Sequence, residues 1–129
     1  MIKLILKYSL PLAICWALFI LALCSIPGQY IPSVSLLEML SFDKWVHASM
    51  FFVLCSLLFI HFRQKTVSKT QIYLLLGMCI LYGGLLEVMQ GNLFSNRSAD
   101  WNDIFANSFG CLMALLLNNK IYSYLIKFK

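Results

Sequence analysis

Charge is what this sequence is short of. Of its 129 residues 12% are charged and five are acidic, against 61% that are hydrophobic, whereas an ordinary soluble domain is roughly 25% charged and about 45–50% apolar. That scarcity excludes a disordered chain and a charge-laced coiled coil. Three prolines and six glycines are too few for a collagen-like or low-complexity segment. The five cysteines, Cys15, Cys24, Cys55, Cys79 and Cys111, are odd in number and contain no C-x-x-C. They read as small buried apolar residues, not as a disulfide or zinc framework. Net charge is +5, but no clustered basic stripe with stacking aromatics is present, so nucleic acid is not an expected partner. Also missing are H-E-x-x-H, G-x-S-x-G, a Lys–Ser dyad pattern and a phosphatase signature.

What the chain has instead is apolar length. Mean hydropathy is +0.83, and a chain this short buries only about two-thirds of its unfolded surface. Its remaining surface would be coated in Leu, Ile and Phe, for which lipid is the natural solvent. Four apolar runs predict one all-α membrane domain over residues 1–129, a bundle of four transmembrane helices at about 9–26, 45–62, 71–90 and 101–125. Each approaches the ~20 residues needed to cross a hydrocarbon core of about 30 Å. Ser25-Ile26-Pro27-Gly28 ends the first helix, Ser33 to Met39 reads as a short interfacial amphipathic helix, and Gly91-Asn92 ends the third. Asp100 or Asn102 is positioned to cap the fourth. Lys3 and Lys7 before an apolar run resemble a signal peptide, and Leu21-Ala22-Leu23-Cys24 a lipoprotein box. Leu23 is not small and the run is long, so the first run is expected to stay as a helix.

Basic residues set the expected orientation. Lys3, Lys7, Arg63, Lys65, Lys69, Lys120, Lys127 and Lys129 fall on one side, leaving Lys44 and Arg97 for the other. The positive-inside rule makes the richer side, with both termini, cytoplasmic. Trp16, Trp45 and Trp101 are expected as interfacial anchors, and the Arg63–Lys69 loop as a contact for anionic lipid. All five acids, Glu38 included, lie at or near the outer side, which the orientation rule does not require.

The outer ends of three helices carry the polar chemistry. Asp43 and His47 share a face at i,i+4, with Lys44 beside them; Glu87 and Gln90 share one at i,i+3; Asp100, Asp103, Asn107 and Gly110 form one helical stripe after Arg97. Counting ~1.5 Å per residue from Ile72 puts Glu87 about 22 Å across, inside the hydrocarbon margin. There an ionised carboxylate costs roughly 2.5–3.5 kcal/mol even on lenient scales. It is expected to pair with Arg97, Lys44 or His47, or to stay neutral. Gly83-Gly84 and Gly110 would let helices approach closely enough for short polar side chains to meet.

Asp43-Lys44-x-x-His47 opening a helix, Glu87-x-x-Gln90 closing the next, then Arg97-x-x-Asp100-x-x-Asp103-x-x-x-Asn107-x-x-Gly110 resembles the VanZ-like family, as does the loop Ser25-Ile26-Pro27-Gly28. The resemblance spans about Ser25 to Ala114. It implies a small multi-pass protein of the bacterial cytoplasmic membrane, in a family named for a member that gives resistance to the lipoglycopeptide teicoplanin. Asp43, Lys44, His47, Glu87, Gln90, Arg97, Asp100, Asp103 and Asn107 are the expected ligand-binding set, on the extracytoplasmic side. The expected partners are membrane lipids and a lipid headgroup, lipid-linked cell-wall precursor or lipoglycopeptide; no cofactor and no metal is assigned. Two alternatives stand beside this binding role. One is an enzyme on an envelope lipid or lipid phosphate, with Asp43, His47, Glu87 and Asp103 as acid–base candidates or oxygen ligands of a hard cation. The other is a structural or accessory subunit whose polar groups only lock helices together.

Overall fold

The computed structural model describes residues 2–27, 42–65, 67–93 and 99–128. They form four helices and, among the described residues, no strand: α1 (Ile2–Cys24), α2 (Phe42–Arg63), α3 (Lys69–Asn92) and α4 (Trp101–Lys127). Each is long and apolar enough to cross a membrane, so the chain is an all-α, multi-pass membrane bundle. The interfacial helix expected over 33–39, Gly28 and the polar string 95–98 with Arg97 lie outside the described residues.

Polar residues mark the ends of α2, α3 and α4. Asp43 stands in the first turn of α2 and Arg63 in its last, charges that complement the helix dipole. Ser68 and Gln71 form a reciprocal capping box at the start of α3. Asp100 caps α4, accepting from the Asn102 backbone N–H at 2.8 Å; of the two expected caps it is Asp100, with Asn102 already in the first turn.

The largest departure from expectation is α1, which begins at Ile2 rather than near residue 9. Pro11 sits inside it, and Tyr8 leaves helical geometry (φ −109°, ψ 17°). A proline ring clashes with the carbonyl four residues back and removes a donor, so the helix kinks instead of stopping. Beside the kink Leu6 O accepts from Gln64 Nε2 at 2.8 Å and from Ser9 Oγ at 3.2 Å. The kink thus fastens the start of α1 to the end of α2.

Topology is up-down-up-down, with α2 touching all three other helices and packing most extensively on α4. Polarity is inverted relative to a soluble protein. Leu81 is 73% and Phe105 71% exposed, while Ser9, His47, Glu87, Gln90, Asp103, Asn107 and Asn118 are buried. Lipid solvates the outside, and the few polar groups turn inward to find partners. Cys24, Cys55, Cys79 and Cys111 are buried as expected, but Cys15 is exposed on the outer face of α1. Trp45 and Trp101 are exposed near the ends of their helices, as anchors are. Trp16 is not an anchor. It is partly buried along α1, and its Nε1 donates to Met50 O of α2 at 2.9 Å; Tyr82 similarly donates from α3 to Ala17 O at 2.7 Å. Arg63 donates to Asn119 Oδ1 and lies over the Tyr122 ring, so it is tied to α4 and not simply offered to lipid.

Gly110 sets the spacing of the main helix pair. A Cβ there would stand 2.0 Å from Ala48 O and 3.0 Å from Phe52 N, against backbone that cannot swing aside. Gly84, by contrast, has nothing within 4 Å of the same point. Gly110→Ala is expected to destabilise the bundle by about 1–3 kcal/mol, the usual cost of overpacking, and Gly84→Ala to be neutral or mildly stabilising. Melting temperatures of the two variants in one detergent check this, and equal values would contradict it.

Candidate functional site

At one end of the bundle the N-termini of α2 and α4 meet the C-termini of α1 and α3. Because α2 and α4 begin together, the i,i+4 pair Asp43/His47 faces the stripe Asp103/Asn107 across the helix crossing that Gly110 and Ala48 permit. Lys44 reaches over this seam. Its Nζ donates to Asp100 Oδ2 at 2.7 Å, to Asp103 Oδ1, and to Asp43 Oδ2 at 3.4 Å. One ammonium therefore ties α2 to both the cap and the first turn of α4. Asp103 is 7% exposed, where a lone carboxylate would be costly and a hydrogen-bonded counter-ion compensates.

One helical turn deeper, His47 Nδ1 meets Asn107 Oδ1 at 3.1 Å, with both residues buried. An amide oxygen only accepts, so the Nδ1 position carries the proton. The other ring nitrogen, Nε2, faces Asp43 Oδ1 at 3.7 Å and Asp103 Oδ2 at 3.9 Å. Gly83 of α3 leaves the room Asn107 occupies: a Cβ there would come within 3.1 Å of Asn107 Cβ and 3.2 Å of its Nδ2.

Glu87 enters from α3 and is 1% exposed. One of its contacts is to the backbone, which the sequence did not suggest. Oε2 accepts from the backbone N–H of Asp100 at 3.2 Å, so α3 satisfies a donor at the start of α4 that no intrahelical carbonyl can reach. Gln90, on the same face, turns the other way and donates to Cys24 O at the end of α1, 3.3 Å away. Eight of the nine expected binding residues thus share one polar end, with α2, α3 and α4 contributing to the seam and Gln90 bracing α1. The ninth, Arg97, lies outside the described residues.

Among the described residues the cluster is richer in carboxylates than in cations. Its described charged members are four carboxylates, Asp43, Glu87, Asp100 and Asp103, against the Lys44 ammonium, with His47 able to carry a second positive charge. Lys44, one of the expected ligand-binding residues, is engaged by its own carboxylates. The candidate cation ligands are Asp43, His47 and Asp103, one donor atom of each lying within 4.8 Å of the others.

A second feature escaped the motif reading. On the outer side of the α2–α4 seam an open groove of about 400 Å³ is walled by Trp45, Phe105 and Phe109, floored by Ala48 and Ala106, and ended by Lys44 and Asn102. The Phe105/Phe109 pair at i,i+4 and the two alanines were its only sequence signals, and both patterns are ordinary in apolar helices.

Lys44 holds the Asp100 carboxyl below its ordinary value of 3.8, helped by the Asn102 backbone N–H. A depressed carboxylate contributes stability that is present above its unfolded value and lost as pH falls through the folded one. Lys44→Met is therefore expected to return the Asp100 titration toward 3.8, read by carboxyl NMR. The same change leaves Asp103 buried without its ammonium and is expected to cost about 3 kcal/mol at neutral pH; adding Asp103→Asn should recover part of the lost melting temperature.

Over 76 residues the sequence is 36% identical to an uncharacterized protein of the fission yeast Schizosaccharomyces pombe, a stretch covering 59% of this chain and 46% of that relative. The chain therefore matches about half the length of that relative. No family model matches the chain. No solved structure matches it either.

Proposed function

We propose that this multi-pass membrane protein binds an amphiphile, a phospholipid or lipid-linked envelope precursor, with its chain in the α2–α4 groove and its headgroup at the polar end. The observation that carries the reading is the continuity of the two features. The groove is apolar along Trp45, Ala48, Phe105, Ala106 and Phe109 and ends on the ammonium of Lys44 and the amide of Asn102. Lipid chains occupy such a surface without displacing water, and the polar lip gives the headgroup hydrogen-bonding partners. Among the described residues the surplus of carboxylates behind Lys44 favours a head rich in hydroxyl or amine groups over a bare phosphate.

The VanZ-like motifs support placing the protein in a bacterial cytoplasmic membrane, and the eight basic residues at the opposite end support an extracytoplasmic polar end. A lipoglycopeptide of the teicoplanin type is the ligand that this resemblance adds. A similar stretch in a yeast protein favours a ligand common to membranes over one confined to a bacterial wall. The buried His47 between two carboxylates keeps the enzymatic alternative open to a simple assay: turnover of a lipid phosphate by the purified protein.

Ala106→Trp fills the groove without touching the Lys44 or His47 contacts. Native mass spectrometry of protein released from a mild detergent is expected to show a retained lipid on the parent chain and at least a tenfold lower occupancy on the variant, at unchanged melting temperature. Equal retention by both would remove the groove as the binding surface.

A further inference from the structure

We infer that Asp43, His47 and Asp103 form a binding site for a divalent transition-metal cation, held between α2 and α4 just beneath Lys44. The two carboxylates divide their oxygens. Asp43 Oδ2 and Asp103 Oδ1 face the Lys44 ammonium, whereas Asp43 Oδ1 and Asp103 Oδ2 face His47 Nε2 at 3.7 and 3.9 Å. Lys44 thus does not occupy this second triangle. With Nδ1 engaged by Asn107 Oδ1, His47 turns its Nε2 toward two carboxylate oxygens. Three atoms able to ligate a cation then converge within 4.8 Å of one another, in a place where His47 and Asp103 are buried.

A cation resolves that convergence. Bonds of about 2.0–2.1 Å in a tetrahedral site set neighbouring donors roughly 3.4 Å apart, so small side-chain rotations would close the observed spacings. Asn107 already supplies the supporting contact typical of a ligating histidine, an acceptor on the other ring N–H that orients the imidazole. One nitrogen and two oxygens suit Zn²⁺, Mn²⁺, Fe²⁺ or Co²⁺ better than Mg²⁺ or Ca²⁺, which take oxygen alone. Charge agrees: Asp100 and Glu87 add two further carboxylates nearby, Glu87 close enough to feel both Asp103 and His47. Asp43 is 65% exposed, so the outer side of the site stays open to water or to a headgroup oxygen.

The test uses the full chain, free of any histidine tag, in detergent and stripped with a chelator, then titrated with Co²⁺. One equivalent is expected to bind with visible ligand-field absorption and to raise the melting temperature. Asp43→Asn lies at an exposed position and should leave metal-free helicity and melting unchanged while weakening Co²⁺ at least tenfold. His47→Gln, which also removes the buried contact to Asn107, should weaken Co²⁺ at least tenfold at a lower metal-free melting temperature, and Asn107→Ala should weaken it roughly 10–100-fold. Absence of Co²⁺ uptake by the folded parent chain, or undiminished affinity in both Asp43→Asn and His47→Gln, would overturn the site. Neither result bears on lipid retention in the groove, which Ala106→Trp tests separately.

Discussion

The ammonium of Lys44, clasped by Asp100 and Asp103, is the contact on which the polar end of this bundle depends. A membrane gives no hydrophobic drive for one apolar helix to choose another, so interfaces are selected by close packing and by polar groups that cannot be left to lipid. Here both act on the same pair. Gly110 lets α4 lie against the backbone of α2 at Ala48, and the closeness lets a lysine of one helix reach two acids of the other. Separating the helices would strand Asp103 with no counter-ion. The ion pair and the glycine contact therefore depend on one another.

The rest of the polar end follows from that alignment. Once α2 and α4 start at the same level, His47 and Asn107 are opposite each other, and the first turn of α4 is close enough to α3 for Glu87 to accept from its backbone. A carboxylate at a helix N-terminus meets both an unsatisfied N–H and the positive end of the dipole, which accounts for an acidic residue so deep in a spanning helix. Gln90 extends the same logic to the end of α1. Each contact locks two helices, and together they gather donors and acceptors into one place. A structural lock and a ligand site are not competing descriptions here, because the oxygens left over from the lock, on Asp43 and Asp103, are those that face His47.

Much of this architecture could be read from the residues in order. Four apolar runs separated by Pro, Gly and polar strings gave the helix count, and the i,i+3 and i,i+4 spacing of Asp43/His47, Glu87/Gln90 and Asp103/Asn107 placed each pair on one face. Depth along a helix is simple arithmetic at fixed rise, so the shared level of these groups was also legible. Partners were less so. For Glu87 the residue order points to Arg97, Lys44 or His47, or to a neutral carboxyl, and does not mark the backbone N–H of Asp100 from which Oε2 also accepts, a donor that nearly every residue carries. Trp16 looked like an interfacial anchor by type, but its indole finds the Met50 carbonyl. The apolar run counted from Ser9 leaves out the start of α1, because Lys3 and Lys7 interrupt the apolar stretch before it; in the bundle the helix continues to Ile2 through a kink at Tyr8, where Gln64 donates to the Leu6 carbonyl.

Composition and periodicity determined that the chain forms four spanning helices with its few polar groups at one end, because hydropathy and helical rise are local quantities. Which oxygen of Asp103 meets Lys44 and which faces His47, that the Glu87 carboxylate closes the start of another helix, and that an apolar groove runs down from Lys44 were decided only when the helices packed. Those facts depend on how closely two backbones approach and at what rotation, and Gly110 beside Ala48 sets that for the main pair.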